Sequence, residues 1–396
     1  MTEPLGPAEG RAPGRAPRRA LIGMLLIVAA GAGVGAGSFL AASLPPRGTV
    51  ALPSVAPPAP SEATKPAPTS RPTPEPTPVT VPAPLTGLPV SPEAATRHPI
   101  AVMVDDHRDA RPQSGFNAAA VVWQAPAEGG IPRYMMVFQD ALPTGVGPVR
   151  SARQYFIEWA AEWQAVYVHV GGSPGAMATL RSDGHGQLVW NADEFRFGGT
   201  YLWRREDLAA PHNVYSDAEH LRNLVGAVGA ADRPIEPSWT FGPELAGEAR
   251  PIGTTLSVEF PYESITYRYD AATNRYHRFI DRSTEPQVDA ADGRVVAPTN
   301  VVILRMRFGA LGDGHPEKHR LEAADVGSGE AIVSTNGRII VGTWSKDSVS
   351  DPTLLFGPDG APLSLTAGQT FVQVIPLSYP WAVVEGTVPR DGVGGR

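Results

Sequence analysis

The 396-residue chain contains no cysteine. Disulfide staples are therefore excluded, as is a lipid carried on an N-terminal cysteine, and an exported chain of this kind must be stabilised by its core. Basic charge is in deficit: 33 Lys and Arg stand against 40 Asp and Glu, a formal net charge of −7. That balance leaves no basic footprint, so nucleic acid is not an expected partner. A metal motif is missing as well. His315 and His319 have i, i+4 spacing, but Pro316 and Lys318 between them suggest a polar loop or helix start, and no third ligand stands nearby. No metal and no other cofactor is expected on these grounds. No internal repeat is visible.

What the chain has in quantity is proline and glycine, 42 of each, with the proline concentrated in one region. Arg11, Arg15, Arg18 and Arg19 precede an uncharged run over 21–44 rich in Leu, Ile, Val, Ala and Gly. Residues 1–20 therefore read as a basic cytoplasmic N-terminus and 21–44 as a single membrane-spanning helix, with the bulk of the chain outside the cytoplasm. A cleaved signal peptide is the competing reading, with Ala41-Ala42-Ser43 as its site, and would make the protein secreted. Residues 45–84 are Pro, Ala, Thr, Ser and Val without apolar periodicity, a disordered stalk of polyproline II character. At about 3.1 Å per residue it reaches on the order of 100 Å from the membrane.

Beyond the stalk, residues 85–235 read as an α/β domain, a mixed sheet with flanking helices. The apolar runs 100–104, 119–123 and 134–138 predict strands, and Tyr155, Trp159 and Trp163 at i, i+4, i+8 predict a helix. A linker follows over 236–252. Residues 253–385 alternate with period two and predict a mostly antiparallel β domain, with Asn336-Gly337 as its strongest hairpin turn. Residues 386–396 form a tail.

Most of the functional information lies between Gly147 and Gly175. Ser151 is an expected N-cap for the aromatic helix, flanked by Arg150 and Arg153; Gly171-Gly172-Ser173-Pro174 follows a strand over 165–170, with Ser173 as a second N-cap. Two helix N-termini, guanidinium groups and a glycine pair that lets a ligand approach the backbone together predict an anion site. The alternative is two ordinary capped helices whose arginines pair with local carboxylates such as Glu158. The candidate ligand-binding set is Arg133, Arg150, Ser151, Arg153, Gly171, Gly172, Ser173, His212 and Asn213. The candidate catalytic groups are Asp105 and Asp106, at the C-terminal end of a strand, and His169, just before the glycine pair. Gly171 to Gly175 also matches G-x-S-x-G, but Pro174 lacks the N–H that an oxyanion hole needs after the nucleophile, so Ser173 is read as a cap.

Six stretches, in order, resemble the YerB-like family of bacterial envelope proteins: Arg111-Pro112-Gln113-Ser114-Gly115, Glu128-Gly129-Gly130-Ile131-Pro132-Arg133-Tyr134-Met135, Gly147-Pro148-Val149-Arg150-Ser151-Ala152-Arg153, Val168-His169-Val170-Gly171-Gly172-Ser173-Pro174, Pro211-His212-Asn213-Val214-Tyr215 and Gly342-Thr343-Trp344-Ser345-Lys346-Asp347-Ser348. The similarity runs over about 85–376. It implies an envelope protein, often a lipoprotein, of no established activity. The chain departs from the pattern in lacking the lipid-bearing cysteine and in carrying Ala120 and Gln124 where acidic residues are expected.

The reading that follows is an exported, membrane-tethered binding or scaffold module for an anion or a cell-wall glycan. A looser likeness, in arrangement only, is to the LytR-CpsA-Psr phosphotransferases. It implies the alternative of an enzyme acting on a polyprenyl-pyrophosphate-linked glycopolymer, with Arg133, Arg150 and Arg153 on phosphate and Asp105 or Asp106 holding a divalent cation or acting as base.

Overall fold

The computed structural model describes residues 79–183 and 186–389. The basic N-terminus, the predicted membrane span at 21–44 and nearly all of the predicted stalk lie outside the described residues, as does the end of the tail. Among the described residues, no helix is long and apolar enough to cross a membrane.

The first segment supplies strands β1 (Ile100–Asp105), β2 (Val121–Pro126) and β3 (Pro132–Phe138), helix α1 (Gln154–Ala161), β4 (Val166–His169), α2 (Pro174–Ser182), β5 (Trp190–Asp193) and α3 (Ala218–Val228). The second supplies β6 (Thr255–Glu259), β7 (Ser264–Asp270), β8 (Arg275–Ile280), β9 (Asn300–Met306), β10 (Gly327–Thr335), β11 (Arg338–Lys346), β12 (Leu354–Phe356), β13 (Thr370–Pro376) and β14 (Trp381–Val384). Ten of these strands form one sheet in the order β12-β11-β10-β9-β13-β2-β3-β1-β4-β5. β13 lies parallel to both β9 and β2, so strands from the two segments are joined by a continuous hydrogen-bonded ladder. A four-stranded antiparallel sheet, β8-β7-β6-β14, is separate. The mixed sheet of the first segment and the mostly antiparallel pairing of the second agree with the sequence. The sharing of one sheet was not expected.

Side-chain alternation divides the core. Val102, Val104, Val122, Tyr134 and Phe371 point to one face, where Leu256, Ile265, Tyr267 and Tyr276 of the small sheet and Leu221 and Leu224 of α3 cover them. Ala101, Met103, Trp123, Met135 and Val372 point to the other, beneath Tyr155, Phe156 and Trp159 of α1 and Leu180 of α2. Trp159 stacks on Trp123 with ring centroids 4.8 Å apart. Burying each such side chain contributes about 1.5–3 kcal/mol, which fixes α1 against the sheet despite its eight-residue length.

Two local expectations are corrected. Helix α1 begins after Arg153, so Ser151 is not its N-cap, and it ends at Ala161, before Trp163. Around the end of β5, Phe197 is buried in the core and Trp190 and Tyr201 pack against it, while Phe195 is exposed. The 236–252 stretch is tied to the second segment, with Thr240–Gly242 pairing parallel to Ser364–Thr366 and the Trp239 indole donating to the Thr353 carbonyl at 2.9 Å. The predicted turn forms: Asn336 and Gly337 have φ of 51° and 72°, and Thr335 pairs with Arg338. A Cβ at Gly337 would sit 2.3 Å from the Tyr269 ring, so glycine is needed there for space as well as for φ.

Candidate functional site

β1, β2, β4, β5, β9 and β13 run in one direction, and their C-terminal ends share one edge of the large sheet. At this edge the Gly147–Arg153 stretch is wedged between the ends of β1 and β4. Asp105 N–H donates to the Pro148 carbonyl, Arg150 N–H to Met103, Val170 N–H to Arg150, and Ala152 N–H to Gly171, all within 3.0 Å. Gly172 serves this wedge. A Cβ there would lie 3.1 Å from both the Ala152 Cβ and the Met177 sulfur, so its lack of a side chain lets the arginine-bearing stretch pack against the start of α2.

The wedge opens on a pocket of about 410 Å³. Arg133 on β3, Arg150 and Arg153 on the wedge, and Arg320 from the second segment line it, with Ser151, Gly172 and Ser173. Two carboxylates face these four guanidinium groups, Asp105 and Glu128. Arg150 Nε lies 2.7 Å from Asp105 Oδ2. Glu128 is shared, with Arg133 Nη2 3.2 Å from one oxygen and Arg153 ion-paired to the other. Arg133 also donates to the Ser151 carbonyl at 2.9 Å. Arg320 is held by Asp313 at 2.5 Å.

The pocket lining carries more positive than negative charge, with four guanidinium groups against two carboxylates. Burial alone would raise the Asp105 carboxyl, but Arg150 and Arg133 outweigh it and hold it below the usual range. Burial pulls Arg133 below its ordinary value and pushes Arg153 down to about 10. A guanidinium moves that way only when desolvation exceeds the charge compensation around it. The Nε atoms of Arg150 and Arg153 are buried without a hydrogen-bond acceptor. For Arg150 this coexists with the close contact to Asp105 because proximity alone does not give a directed bond.

Asp106 belongs elsewhere. One residue after Asp105, it is buried on the opposite face and reaches Gln113 Nε2 at 3.1 Å and Gln124 Nε2 at 2.6 Å. The same Gln124 nitrogen donates to Glu263 at 2.8 Å, and the Gln124 oxygen accepts from fully buried Arg278 at 2.8 Å. Arg111 pairs with both carboxylates. Burial pushes Asp106 and Glu263 up, and for Glu263 the neighbouring Asp106 adds to the rise. This network opens on a second cavity of about 380 Å³ and couples the small sheet to the large one.

Several sequence candidates fall outside the arginine pocket. His169 is fully buried, with Nδ1 2.8 Å from the Gly171 carbonyl and Nε2 2.8 Å from Asn191 Oδ1, so neither nitrogen is free for catalysis. Gly171 N–H donates to Asp193 rather than facing a ligand. Ser173 caps α2 through the Ala176 N–H, as expected, and its own N–H donates to Ala152. Guanidinium groups, rather than helix-end N–H groups, therefore dominate the site. Asn213 accepts from Arg204 and donates to the Arg205 carbonyl, away from the pocket. His212 stands behind the pocket wall, with Nδ1 2.7 Å from Asp105 Oδ2. Glu158, the carboxylate expected to neutralise the arginines, accepts from Gln154 at 2.7 Å; Glu128 takes its place.

Sequence reasoning missed His107 and Arg320, which also line the pocket. Arg320 sits in a polar loop of the second segment with no motif around it, and only the tertiary fold brings it here. It also borders an adjoining apolar cavity of about 600 Å³ with Tyr262 and Tyr379 in its walls. Trp344 and Lys346, in the last of the six family-like stretches, are buried.

Comparison with known proteins places the chain in a family. Residues 85–231 match the family described as "Protein of unknown function (DUF3048) N-terminal domain", and residues 256–372 match its C-terminal domain. The chain is 29% identical over 300 residues to the "Putative lipoprotein YerB" of Bacillus subtilis (strain 168), covering 74% of this chain and 86% of that protein. The crystal structure of YerB from Bacillus subtilis superposes with a TM-score of 0.66 at 27% identity, covering 76% of this chain and 99% of the other.

Proposed function

The chain belongs to the YerB-like family with paired DUF3048 domains, and from that footing we propose that it is a membrane-tethered envelope module that binds an anionic ligand, a phosphate-bearing group or a glycan carrying one, in the arginine pocket. One observation carries the reading. Arg133, Arg150, Arg153 and Arg320, from separate parts of the chain, converge on about 410 Å³ of space that holds two carboxylates. A bound anion would supply negative charge and accept charge-assisted hydrogen bonds from the guanidinium groups that line the pocket. The lipoprotein name of the relative supports an envelope location, and the apolar run 21–44 offers an anchor that needs no cysteine.

The test is thermal unfolding of wild type and of Arg150→Ala with Arg153→Ala. Each is titrated with pyrophosphate, a short-chain polyprenyl pyrophosphate and peptidoglycan fragments. A ligand at a hundredfold excess over its dissociation constant stabilises the native state by about 2.7 kcal/mol. Stabilisation of the wild type alone supports the reading. Equal shifts in both proteins, or none, would sink it.

A phosphotransferase is the second reading, favoured by the Asp105 carboxylate that lines the pocket and is backed by His212. It requires turnover: transfer of a glycopolymer from its pyrophosphate carrier, dependent on Asp105 and promoted by a divalent cation.

A further inference from the structure

We propose that His107, Asp109 and His212 form a binding site for a divalent transition metal, zinc in the first instance, beside the arginine pocket and not required by the anion-binding reading. Among the described residues, this is the one place where three or more His, Asp or Glu side chains bring ligand atoms together, all within 4.8 Å of one another. Two imidazoles and one carboxylate suit Zn²⁺ and its first-row neighbours, and three protein ligands leave a coordination position open.

Local structure brings the three together. His107 and Asp109 stand on either side of Arg108 at a single 3-10 turn, Arg108–Ala110, which His107 caps. His107 Nδ1 is 3.6 Å from Asp109 Oδ2. Two ligands of one ion at about 2.1 Å, set at a tetrahedral angle, lie about 3.4 Å apart, so the spacing fits; the His107 Nδ1 lone pair now accepts the Asp109 N–H at 3.2 Å, and a metal there would take the place of that contact. His212 comes from the loop before α3, and its ring stacks on that of His107 with centroids 5.2 Å apart and planes 14° from parallel.

The second observation points to a metal more directly. His212 Nδ1 is 2.7 Å from Oδ2 of the buried Asp105. The same oxygen also lies 2.7 Å from Arg150 Nε, and a carboxylate oxygen facing a guanidinium accepts, so Nδ1 is the donor and Nε2 keeps its lone pair. A carboxylate behind the ring, fixing tautomer and orientation, is the outer shell that metal-binding histidines usually have. His107 lines the arginine pocket, so a ligand held there would lie near the metal's open position.

The full chain, freed of metal with a chelator and carrying no affinity tag, is titrated with Zn²⁺ by calorimetry and with Co²⁺ by visible absorption. The expected result is one equivalent bound. His107→Ala and His212→Ala each weaken it at least tenfold, and Asp105→Asn weakens it about 10- to 100-fold by releasing the His212 ring. Replacing His315 and His319 together with alanine changes nothing. Circular dichroism confirms that each variant is folded; His107, partly exposed, is the substitution least able to disturb the core. Absence of stoichiometric binding in the wild type, or undiminished binding by folded His107→Ala, overturns the proposal.

Discussion

Asp105 and Asp106 are consecutive residues whose carboxylates face opposite sides of the ten-stranded sheet. Asp105 continues the Ala101 and Met103 side and meets Arg150 and His212; Asp106 continues the Val102 and Val104 side and meets Gln113, Gln124 and Arg111. The period of two along a strand makes this division unavoidable. An adjacent acidic pair at a strand end therefore serves two different environments, one open to an arginine-lined pocket and one locked into the core.

Glu128 occupies the place a ligand's charge would take, pairing with Arg133 and Arg153 at once. Glu128→Gln should therefore tighten pyrophosphate binding by about tenfold, or 1.4 kcal/mol, because two guanidinium groups no longer have to leave a carboxylate. Arg153→Ala should weaken it by a similar factor. Calorimetric titration of the three proteins measures both. Weaker binding by Glu128→Gln would mean that the carboxylate positions the arginines rather than competing for them.

Asp325 is buried and stands beside Glu158 of α1. Burial, with the Glu158 carboxyl adding to it, raises its pKa from an ordinary 3.8 to about 8. Between those values the folded chain holds a proton that the unfolded chain has lost. Stability therefore falls as pH rises from about 4 to about 8 and levels off above that. Asp325→Asn removes the titration and should stabilise the protein at pH 8 by several kcal/mol, with little effect at pH 4. Urea midpoints at the two pH values decide it. Equal midpoints for wild type and variant at pH 8 would show that Asp325 is ionised in the fold at little cost.

Lys346 and Glu162 form an ion pair 3.2 Å long with both side chains fully buried, and the Thr353 hydroxyl donates to the same Glu162 oxygen at 2.6 Å. Burial raises the Glu162 carboxyl, and Lys346 opposes that rise. Lys346→Met should cost about 3–5 kcal/mol by stranding the carboxylate, and adding Glu162→Leu should restore most of the loss. A double-mutant cycle in urea separates these terms. Additive losses would show that the pair is not coupled.

Much of the fold could be read from local pattern. The strand at 100–104, the Asn336-Gly337 turn and the Ser173 cap with Pro174 behind it each rest on a short-range rule that the tertiary structure leaves intact. Arg133, Arg150, Arg153 and Asp105 could be grouped because strand ends and the arginine-bearing turn have to meet at one sheet edge. The role of His169 stays open in the sequence because alternation tells which face a side chain takes, but not whether Asn191 from a neighbouring strand will bond to it. Arg320, the Asp106–Glu263 contact and the Lys346–Glu162 pair span separations that no local period encodes. Each follows from the shared sheet, which the change of period near residue 253 concealed.

Strand β13 ends at Pro376 and lies between β9 and β2, in the middle of the large sheet. A chain made from its N-terminus cannot close that sheet until residues 370–376 are available. β2, placed by residue 126, must wait some 250 residues for its parallel neighbour. A stop codon anywhere before residue 370 would remove a central strand rather than trim an edge, leaving β2 and β9 with unpaired backbone and exposed valines. Completion of the fold thus waits on this one strand, and chains that stop short of it present open edges ready to pair with other chains.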